Sequence, residues 1–427
     1  MNKEMAEVLV RVGPQAPMGR LMRRYWVPIL SSWEIPEPDC PQVRVKILGE
    51  KLLAFRDSQG RAGLIDEFCA HRGASLFFGR NEECGIRCSY HGWKFDLNGQ
   101  CVELPSVPEL APKMRITAYP CIERGGLVWA YMGPEGKQPP PPGLEWCEVP
   151  ASHRFVSKRL QESSWLQAME GGIDTTHASW VHRYELDRDP MHQAMANKYI
   201  KADRNAVFDV EEMPHGLSIF GRRNGEPASY YWRVTQFLFP WYTLIPPFGP
   251  HPLGGHVWVP IDDEHCWAWS INFHPDKPLS AGERRDLEEG KGIHVKYEKP
   301  GSFRPAANMD NDYLIDRAAQ KDRRSFSGVS GFSVQDASLQ ESMGAIQDHS
   351  REHLVTTDKP IAMARRMLFN SALNLAQGIE PPALDAAVQR VRAASILLER
   401  SASVTDWAKD ALYVKLGDKL GQPVYSL

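Results

Sequence analysis

The 427-residue sequence lacks the features that mark several specialised classes of protein. No apolar run approaches the roughly 18 residues of a membrane-spanning helix. A net charge of −3 offers no basic field for nucleic acid or an anionic membrane. Eight cysteines are too few for a disulfide scaffold, and the N-terminus lacks the basic-then-apolar pattern of a signal peptide. We therefore expect a cytoplasmic protein in which clustered cysteines bind metal.

Composition and periodicity divide the chain into three segments and predict the α+β class. Residues 1–40 are predicted to be a helical N-terminal segment. Residues 41–148 are predicted to be a compact all-β domain, because alternating runs such as Val43–Ile47 are separated by turns such as Asn98-Gly99. Four consecutive prolines before Gly143 predict a stiff spacer near the end of this β domain.

Residues 149–427 are predicted to form a larger domain of antiparallel strands with flanking helices. Aromatic and β-branched runs between residues 205 and 275 predict the strands. Helical periodicity is found in residues 340–373 and 383–400, the second with apolar residues at i, i+3 and i+4.

The most informative stretch is a pair of short Cys/His loops. Cys69-Ala70-His71 is followed, after sixteen residues, by Cys88-Ser89-Tyr90-His91. Four such ligands could hold zinc, but zinc fingers usually pair Cys with Cys and His with His. One Cys and one His from each loop suits a two-iron cluster with both thiolates on one iron and both imidazoles on the other, as in a Rieske [2Fe–2S] centre.

A second constellation lies in residues 170–182. His177 and His182 are five apart, and Asp174 precedes the first by three. Two histidines and one carboxylate on one face of Fe(II) leave positions open for O₂ and substrate. Five residues of an ideal α-helix turn about 500°, so the two imidazoles would lie about 140° apart. We therefore predict a π-bulge, or the end of a helix, between them.

These motifs resemble those of a known family. C-A-H-R-G-A-S-L and C-S-Y-H-G-W-K-F-D are similar to the signature of the Rieske non-haem iron oxygenases. P-M-G-R-L-M-R-R-Y-W-V-P and E-G-G-I-D-T-T-H are similar to the phthalate dioxygenase-like branch. The resemblance implies an N-terminal all-β Rieske domain and a C-terminal helix-grip-like catalytic domain with a curved antiparallel sheet and flanking helices.

The resemblance also implies which residues bind the metals. The [2Fe–2S] cluster would be held by Cys69, His71, Cys88 and His91, and the mononuclear Fe(II) by His177, His182 and Asp336. Asp336 matches because the family places its carboxylate ligand a few residues before a Glu at a helix start. Asp348 remains the alternative, since spacing within the sequence does not decide between the two.

Asp174 is expected to act as a bridge between the two metal sites. In the family such a carboxylate bonds a cluster imidazole, here His91, on one side and an iron ligand, here His177, on the other. That link crosses a subunit boundary, which implies a head-to-tail homo-oligomer, either a trimer or stacked trimers. A carboxylate on a helix surface is the alternative.

The implied activity is that of a terminal oxygenase component, which uses O₂ and electrons from NADH to cis-dihydroxylate an aromatic carboxylate. No G-x-G-x-x-G or plant-type ferredoxin motif is present, so the electrons are expected from a separate reductase with FMN and its own [2Fe–2S] centre. A mono-oxygenase or O-demethylase acting on a methoxylated or diaryl-ether aromatic acid is the alternative enzyme. A non-catalytic Rieske electron carrier is the alternative outside enzymes, and the large second domain argues against it.

An aromatic carboxylate also requires a cationic group in its pocket. A carboxylate in apolar surroundings needs an arginine or a cluster of hydrogen-bond donors. Arg204, Arg222 and Arg233 lie in the region expected to line the cavity, and we take them as the candidates. Each alone is also compatible with a surface or structural position.

Overall fold

The computed structural model describes residues 1–414 and 424–427. Its α-helices are α1 (Lys3–Val10), α2 (Pro17–Met22), α3 (Glu145–Glu148), α4 (Trp165–Ile173), α5 (Glu185–Arg188), α6 (Asn197–Ala202), α7 (Ala281–Glu288), α8 (Arg317–Lys321), α9 (Phe332–Ser342), α10 (Lys359–Ala376) and α11 (Val404–Ala411). None of the helices in these two ranges is long and apolar enough to cross a lipid bilayer.

The strands fall into two groups along the chain. The first comprises β1 (Trp26–Ser31), β2 (Val43–Ile47), β3 (Glu50–Arg56), β4 (Ala62–Asp66), β5 (Arg80–Glu82), β6 (Gly85–Arg87), β7 (Lys94–Asp96), β8 (Cys101–Glu103), β9 (Ala118–Tyr119), β10 (Cys121–Arg124) and β11 (Leu127–Tyr131). The second comprises β12 (Arg154–Gln161), β13 (Val207–Met213), β14 (Gly216–Asn224), β15 (Ser229–Leu238), β16 (Tyr242–Ile245), β17 (Leu253–Pro260), β18 (Cys266–Phe273) and β19 (Ala394–Glu399).

Residues 12–142 form one of two compact units. This unit holds three small sheets, with strand orders β1-β11-β10, β2-β3-β4-β9 and β5-β6-β7-β8. Strand β2 alternates as its sequence predicts, because Val45 and Ile47 are buried while the charged residues between them are exposed. The core around Phe55 also contains Cys69 and Cys88, so both thiols are anchored in packed structure.

Residues 1–11 and 143–427 form the other unit. Its centre is an antiparallel sheet with the order β12-β18-β17-β16-β15-β14-β13, and β19 pairs with β15. The aromatic runs of the sequence supply its buried side chains, such as Trp258 and Trp269. Helix α4 packs against β16 and β17, and α9 and α10 pack against α4. The sheet therefore supports the helix that leads into the second predicted metal motif.

The division into units differs from the predicted ranges at both ends of the β unit. Residues 1–40 do not form a segment of their own, because β1 pairs with β11 inside the β unit. Helix α1 belongs to the larger unit, where Trp165 Nε1 donates to the Leu9 carbonyl at 3.1 Å. The boundary lies at residue 142 instead of near 148, because ion pairs tie α3 to Arg390 and Arg392.

The predicted α+β class and the antiparallel strands between residues 205 and 275 are confirmed. The helix predicted over residues 383–400 is wrong. That segment contains a short 3₁₀ turn, Ala386–Gln389, followed by β19. Strand β19 pairs along its whole length with β15, so hydrogen bonds of the sheet outweigh the local helical periodicity.

Candidate functional site

The two Cys/His loops have the same backbone geometry. In each loop the cysteine donates its N–H to the carbonyl five residues later, at 2.9 Å from Cys69 and 2.8 Å from Cys88. Each cysteine carbonyl accepts from a glycine four residues later, Gly73 or Gly92, at 2.9 Å. Both glycines have left-handed φ angles, 73° and 79°, which closes each loop tightly. The repeated C-x-H and C-x2-H pattern thus gives two matched loops.

The four side chains of these loops separate into a buried thiol pair and an exposed imidazole pair. Cys69 and Cys88 are each 3% exposed, whereas His71 and His91 are exposed and their ring centroids lie 4.5 Å apart. Burial, together with the neighbouring Cys88, raises the pKa of the Cys69 thiol to about 11. A thiol pair facing an imidazole pair fits a two-iron cluster, in which each pair binds its own iron.

A single-ion site would require tighter clustering than these loops show. Among the described residues, one group of three His, Cys, Asp or Glu side chains has its ligand atoms within 4.8 Å of one another, and it is His177, His182 and Asp336. The four loop residues do not gather in this way, which argues against a tetrahedral zinc site.

His177, His182 and Asp336 converge through the atoms that metals bind. The two Nε2 atoms lie 3.1 Å apart, and the Asp336 Oδ1 atom lies 3.6 Å from His177 Nε2 and 3.0 Å from His182 Nε2. The structure therefore brings together the two predicted histidines and the preferred carboxylate. Asp348 lies elsewhere, exposed at the start of a 3₁₀ turn, where it accepts from Ser350.

Hydrogen bonds on the other ring nitrogens fix how the two imidazoles are protonated. The His177 Nδ1 atom lies 3.4 Å from an Asp174 oxygen, and His182 Nδ1 lies 2.8 Å from Gln335 Oε1. The Gln335 amide is oriented by its own donation to the Val329 carbonyl at 2.8 Å. Both acceptors favour a proton on Nδ1, which leaves the two Nε2 atoms, beside the Asp336 carboxylate, as the nitrogens that would bind a metal. Three electron-pair donors facing one another fit a bound cation.

The close packing of this triad shifts the pKa values of His177 and Asp336. Burial opposes protonation of His177, but the hydrogen bond with Asp174 and the charge of Asp336 outweigh it and raise the pKa to about 9. Burial also opposes ionisation of Asp336, yet the neighbouring His182 and His177 hold its pKa well below the usual range. Asp336 is therefore a carboxylate ligand available for metal at neutral pH.

The backbone resolves the spacing problem between the two histidines by ending a helix. Helix α4 ends at Ile173, and Asp174 follows as its C-cap. His177 begins a 3₁₀ turn that ends at Ser179, so the two imidazoles are not carried by one continuous helix. The end of a helix, one of the two predicted solutions, is what the structure contains. Asp336 is supplied by α9, which packs against α4.

A cavity opens from the triad. Its walls are mostly apolar and include Leu186, Ile245, Pro246, Phe248, Trp258, Ile293 and Phe332. Arg233, on β15, lines the cavity and is 3% exposed. Its Nε and Nη1 atoms have no hydrogen-bond partner in the described part of the chain. The guanidinium lies over the Phe248 ring, 4.6 Å from its centroid. The cavity can therefore hold an aromatic ring with an anionic group.

Of the three arginine candidates, only Arg233 lines this cavity. Arg204 is exposed and lies 5.0 Å from the Trp180 ring centroid. Arg222 is half-buried and lies 4.5 Å from the Tyr230 ring centroid. Neither is among the lining residues of the cavity.

Sequence analysis missed three polar residues of the site. Gln335 orients His182, and His192 lies at the cavity wall with its Nδ1 atom bonded to Asp189. Gln335 directly precedes the predicted ligand Asp336, and Asp189 and His192 have the i, i+3 spacing of a helical turn. These spacings are too common to single the residues out without the fold.

Comparison with known proteins gives two family matches that together span most of the chain. Residues 25–120 match the Rieske [2Fe-2S] domain, and residues 130–409 match the family described as LigXa C-terminal domain like.

Similar proteins of known activity align along nearly the full chain. The oxygenase subunit of 3-chlorobenzoate-3,4-dioxygenase from Comamonas testosteroni is 39% identical over 90% of this chain and 91% of its own length. The oxygenase subunit of phthalate 4,5-dioxygenase from Pseudomonas putida is 36% identical, with coverages of 85% and 84%. The oxygenase subunit of 5,5'-dehydrodivanillate O-demethylase from Sphingobium sp. is 29% identical, with coverages of 90% and 83%.

Among solved structures, dicamba monooxygenase bound to 3,6-dichlorosalicylic acid has a similar fold. The TM-score is 0.59 at 17% sequence identity, and the match covers 83% of this chain and 98% of that one.

Proposed function

We propose a function on the premise that this chain belongs to the Rieske non-haem iron oxygenases, as a terminal oxygenase component of the phthalate dioxygenase-like branch. Members carry a [2Fe–2S] cluster and a mononuclear iron, receive electrons from a separate reductase or ferredoxin, and form oligomers. The proposed reaction is the cis-dihydroxylation of an aromatic carboxylate, with O₂ as the oxidant.

We assign the metals to the two groups of side chains described above. The cluster would be held by Cys69, His71, Cys88 and His91, and the mononuclear iron by His177, His182 and Asp336. When bound, the two groups supply single electrons and O₂ activation, respectively. The protein's own residues hold the ligands in place: Asp174 keeps the proton on His177 Nδ1, and Gln335 does the same for His182.

The observation that carries the substrate proposal is the guanidinium of Arg233, whose Nη2 atom donates to the Pro246 carbonyl at 3.4 Å while Nε and Nη1 have no partner among the described residues. A buried cation without an anion or a full set of acceptors is costly, typically by several kcal/mol. A substrate carboxylate would supply the missing acceptors in bidentate geometry. Phe248, beside the guanidinium, offers a ring face to the aromatic part. The relatives whose names contain 3-chlorobenzoate and phthalate act on aromatic carboxylates, which supports the same class here.

The partners follow from the electron supply and from the predicted bridge. We propose a separate reductase that carries FMN and a [2Fe–2S] centre, splits the two electrons of NADH, and meets this chain in the cytoplasm. We also propose a head-to-tail trimer in which Asp174 of one subunit bonds His91 of the next. Exposed aromatic side chains on both units, Phe78 and Tyr90 on one and Trp180 and Phe326 on the other, are surfaces that such an assembly would cover.

The function is tested by product analysis and by one arginine substitution. The protein with both metals loaded, its cluster reduced chemically, is given O₂ and a panel of benzoates, including chloro-, carboxy- and methoxy-substituted ones. Gain of two oxygen and two hydrogen atoms indicates cis-dihydroxylation, whereas gain of one oxygen or loss of a methyl group indicates the mono-oxygenase or O-demethylase alternative. If no benzoate gives a product, the proposed function is wrong.

We expect Arg233→Met to weaken binding of the best benzoate by about tenfold to a hundredfold, the usual worth of a hydrogen-bonded charge. Arg222→Met is the matched control, because Arg222 lies on the neighbouring strand outside the cavity. Equal affinities in both variants would refute the role of Arg233. The measurement is equilibrium binding by calorimetry.

A further inference from the structure

A buried histidine in the cavity wall has a polar atom that neither metal site uses. His192 is 5% exposed and lines the same cavity as Arg233. Its Nδ1 atom lies 3.1 Å from Asp189 Oδ1. Among the described residues, Asp189 is the one hydrogen-bond partner of the His192 ring, through Nδ1. A role for the other ring nitrogen, Nε2, deepens the proposed function and rests on it.

The surroundings of Asp189 fix the tautomer of His192. The Asp189 carboxylate accepts the N–H of Met191 and the N–H of Gly292, each at 2.8 Å. Burial opposes its ionisation, but the hydrogen bond with His192 and these backbone donors hold its pKa below the usual range. An ionised Asp189 is a pure acceptor, so the His192 proton belongs on Nδ1. Nε2 then carries a lone pair, on a ring that lines the cavity.

The same imidazole is held neutral by its packing. Phe332 stacks on it with ring centroids 3.8 Å apart, and Phe248 meets it edge-on at 4.7 Å. Burial lowers the pKa of His192 in spite of the hydrogen bond with Asp189. A neutral ring with one proton already donated can only accept at its other nitrogen.

His192 lies between the substrate anchor and the metal triad. Arg233 and His192 contact the same Phe248 ring, at 4.6 and 4.7 Å from its centroid. On the other side, Phe332 also contacts His182, with centroids 4.6 Å apart. An aromatic carboxylate held by Arg233 would therefore present a ring substituent to His192 before it reaches the triad.

We propose that His192, oriented by Asp189, is a specificity-determining residue that accepts a hydrogen bond from a hydroxyl or amino substituent on the ring of the aromatic carboxylate. The substituent donates its proton to Nε2, and no covalent bond is made or broken. A methyl group of similar size cannot donate, and a hydroxyl that lacks this partner loses its hydration without replacement. The site is therefore selective for ring donors over apolar substituents of the same size.

Equilibrium binding to the metal-loaded protein tests this without turnover. Dissociation constants are measured by calorimetry, without reductant, for benzoate and for the 2-, 3- and 4-isomers of hydroxybenzoate and methylbenzoate. We expect the hydroxyl compound to bind about tenfold more tightly than the methyl compound at one ring position. In His192→Phe the order should reverse, since the hydroxyl then has no acceptor.

Control variants separate the role of Nε2 from general packing. His251→Phe changes a nearby histidine outside this cavity, and it should keep the wild-type order. Asp189→Asn removes the anionic acceptor that holds the Nδ1 proton, and it should weaken the preference for the hydroxyl compound. If His192→Phe does not fold, Asp189→Asn serves in its place, and an unchanged hydroxyl preference in that variant would overturn the role of His192.

The possible failures are distinguishable. Equal affinities of hydroxyl and methyl compounds at all three ring positions, with benzoate binding that still depends on Arg233, would overturn only the role of His192. A hydroxyl preference that survives in His192→Phe would overturn it as well. Absence of any binding by benzoates would overturn the proposed function itself.

Discussion

In the proposed mononuclear site, Gln335 would orient an iron ligand without touching the metal. Its Oε1 atom lies 2.8 Å from His182 Nδ1, and its own amide is fixed by the Val329 carbonyl. We expect Gln335→Leu to lower the affinity of the mononuclear site for Fe(II) by about tenfold to a hundredfold, the usual effect of losing such a partner. The iron content after dialysis against a graded chelator measures this.

A buried glutamine from the other unit provides the matched control for Gln335. Gln42 is 8% exposed and donates to three carbonyls in the β unit, so Gln42→Leu removes a comparable amide far from the mononuclear ligands in sequence. This variant should lose thermal stability but retain mononuclear iron. Equal iron loss in both variants would show that Gln335 acts through general stability alone.

At the level of single residues, the sequence is informative where spacing is specific. The Cys/His loops are identifiable because their spacing matches metal chemistry, and His177 with His182 because their segment resembles a known signature. The role of Arg233 could not be separated from those of Arg204 and Arg222, because the face of a strand that lines a cavity depends on sheet register. Only the fold shows that Arg233 faces the triad.

At the level of elements, an ion cluster ties α10 to the helix that leads into the metal motif. Arg365 of α10 binds both carboxylate oxygens of Glu170 on α4, at 2.6 and 2.7 Å. The same guanidinium binds Glu352 at 2.6 and 2.7 Å, and His349 lies 2.7 Å from that carboxylate. Helix α4 ends three residues after Glu170, so this cluster fixes the position from which Asp174 and His177 extend.

This cluster predicts a specific dependence of stability on pH. Burial disfavours the ionised form of Glu352, but Arg365 and His349 outweigh it and lower the pKa from 4.5 to about 2. A carboxylate with a lowered pKa stabilises the folded state above its unfolded pKa, and the stabilisation disappears as pH falls through the folded pKa. Wild type should therefore exceed Glu352→Gln in stability by on the order of 2 kcal/mol at pH 7.

The difference between wild type and Glu352→Gln should shrink between about pH 4.5 and pH 2. Urea denaturation followed by circular dichroism at several pH values measures it. Glu212→Gln is the control, because Glu212 pairs with the adjacent Arg366 on α10 at the exposed surface, where ion pairs contribute little. A difference that stays constant down to pH 2 would contradict the assignment to Glu352 ionisation.

Elements were predicted well where pattern and tertiary structure agree. Strand β2 follows its alternating sequence over the predicted residues Val43–Ile47. The segment of residues 383–400 has helical periodicity, yet its second half completes the sheet beside β15. Local periodicity carries no information about the place beside β15 that this segment fills, because β15 lies more than a hundred residues earlier in the chain.

At the level of the whole molecule, the sequence predicted two domains with distinct metals, and the structure divides into a β unit and an α+β unit. The four prolines end at residue 142, where the division between the two units falls. The assignment of α1 and α3 to the larger unit was not predictable, because it depends on long-range contacts such as Trp165 with Leu9. How subunits assemble likewise depends on surfaces that no local pattern encodes.

The proposed head-to-tail trimer makes a quantitative prediction about mixed subunits. A chain with His91→Ala lacks a cluster imidazole but keeps the mononuclear ligands, and a chain with His177→Ala has the reverse defect. If electrons pass between subunits through Asp174, each variant alone is inactive, but a mixed trimer contains a productive interface. In any ring of three that contains both chains, one interface joins an intact cluster to an intact mononuclear site. We therefore expect about a third of wild-type turnover per trimer.

Co-expression of the two chains with different affinity tags, followed by purification on both tags, yields only mixed assemblies for this measurement. Turnover is compared with that of each variant purified alone and with doubly tagged wild type. In a further pair, the His177→Ala chain keeps its normal cluster and the His91→Ala chain also carries Asp174→Ala. This pair should lose the restored activity, because the chain that accepts the electron then lacks the bridging carboxylate. Mixed assemblies with no more activity than the separate variants would show that electrons stay within one chain, and the head-to-tail arrangement would have to be abandoned.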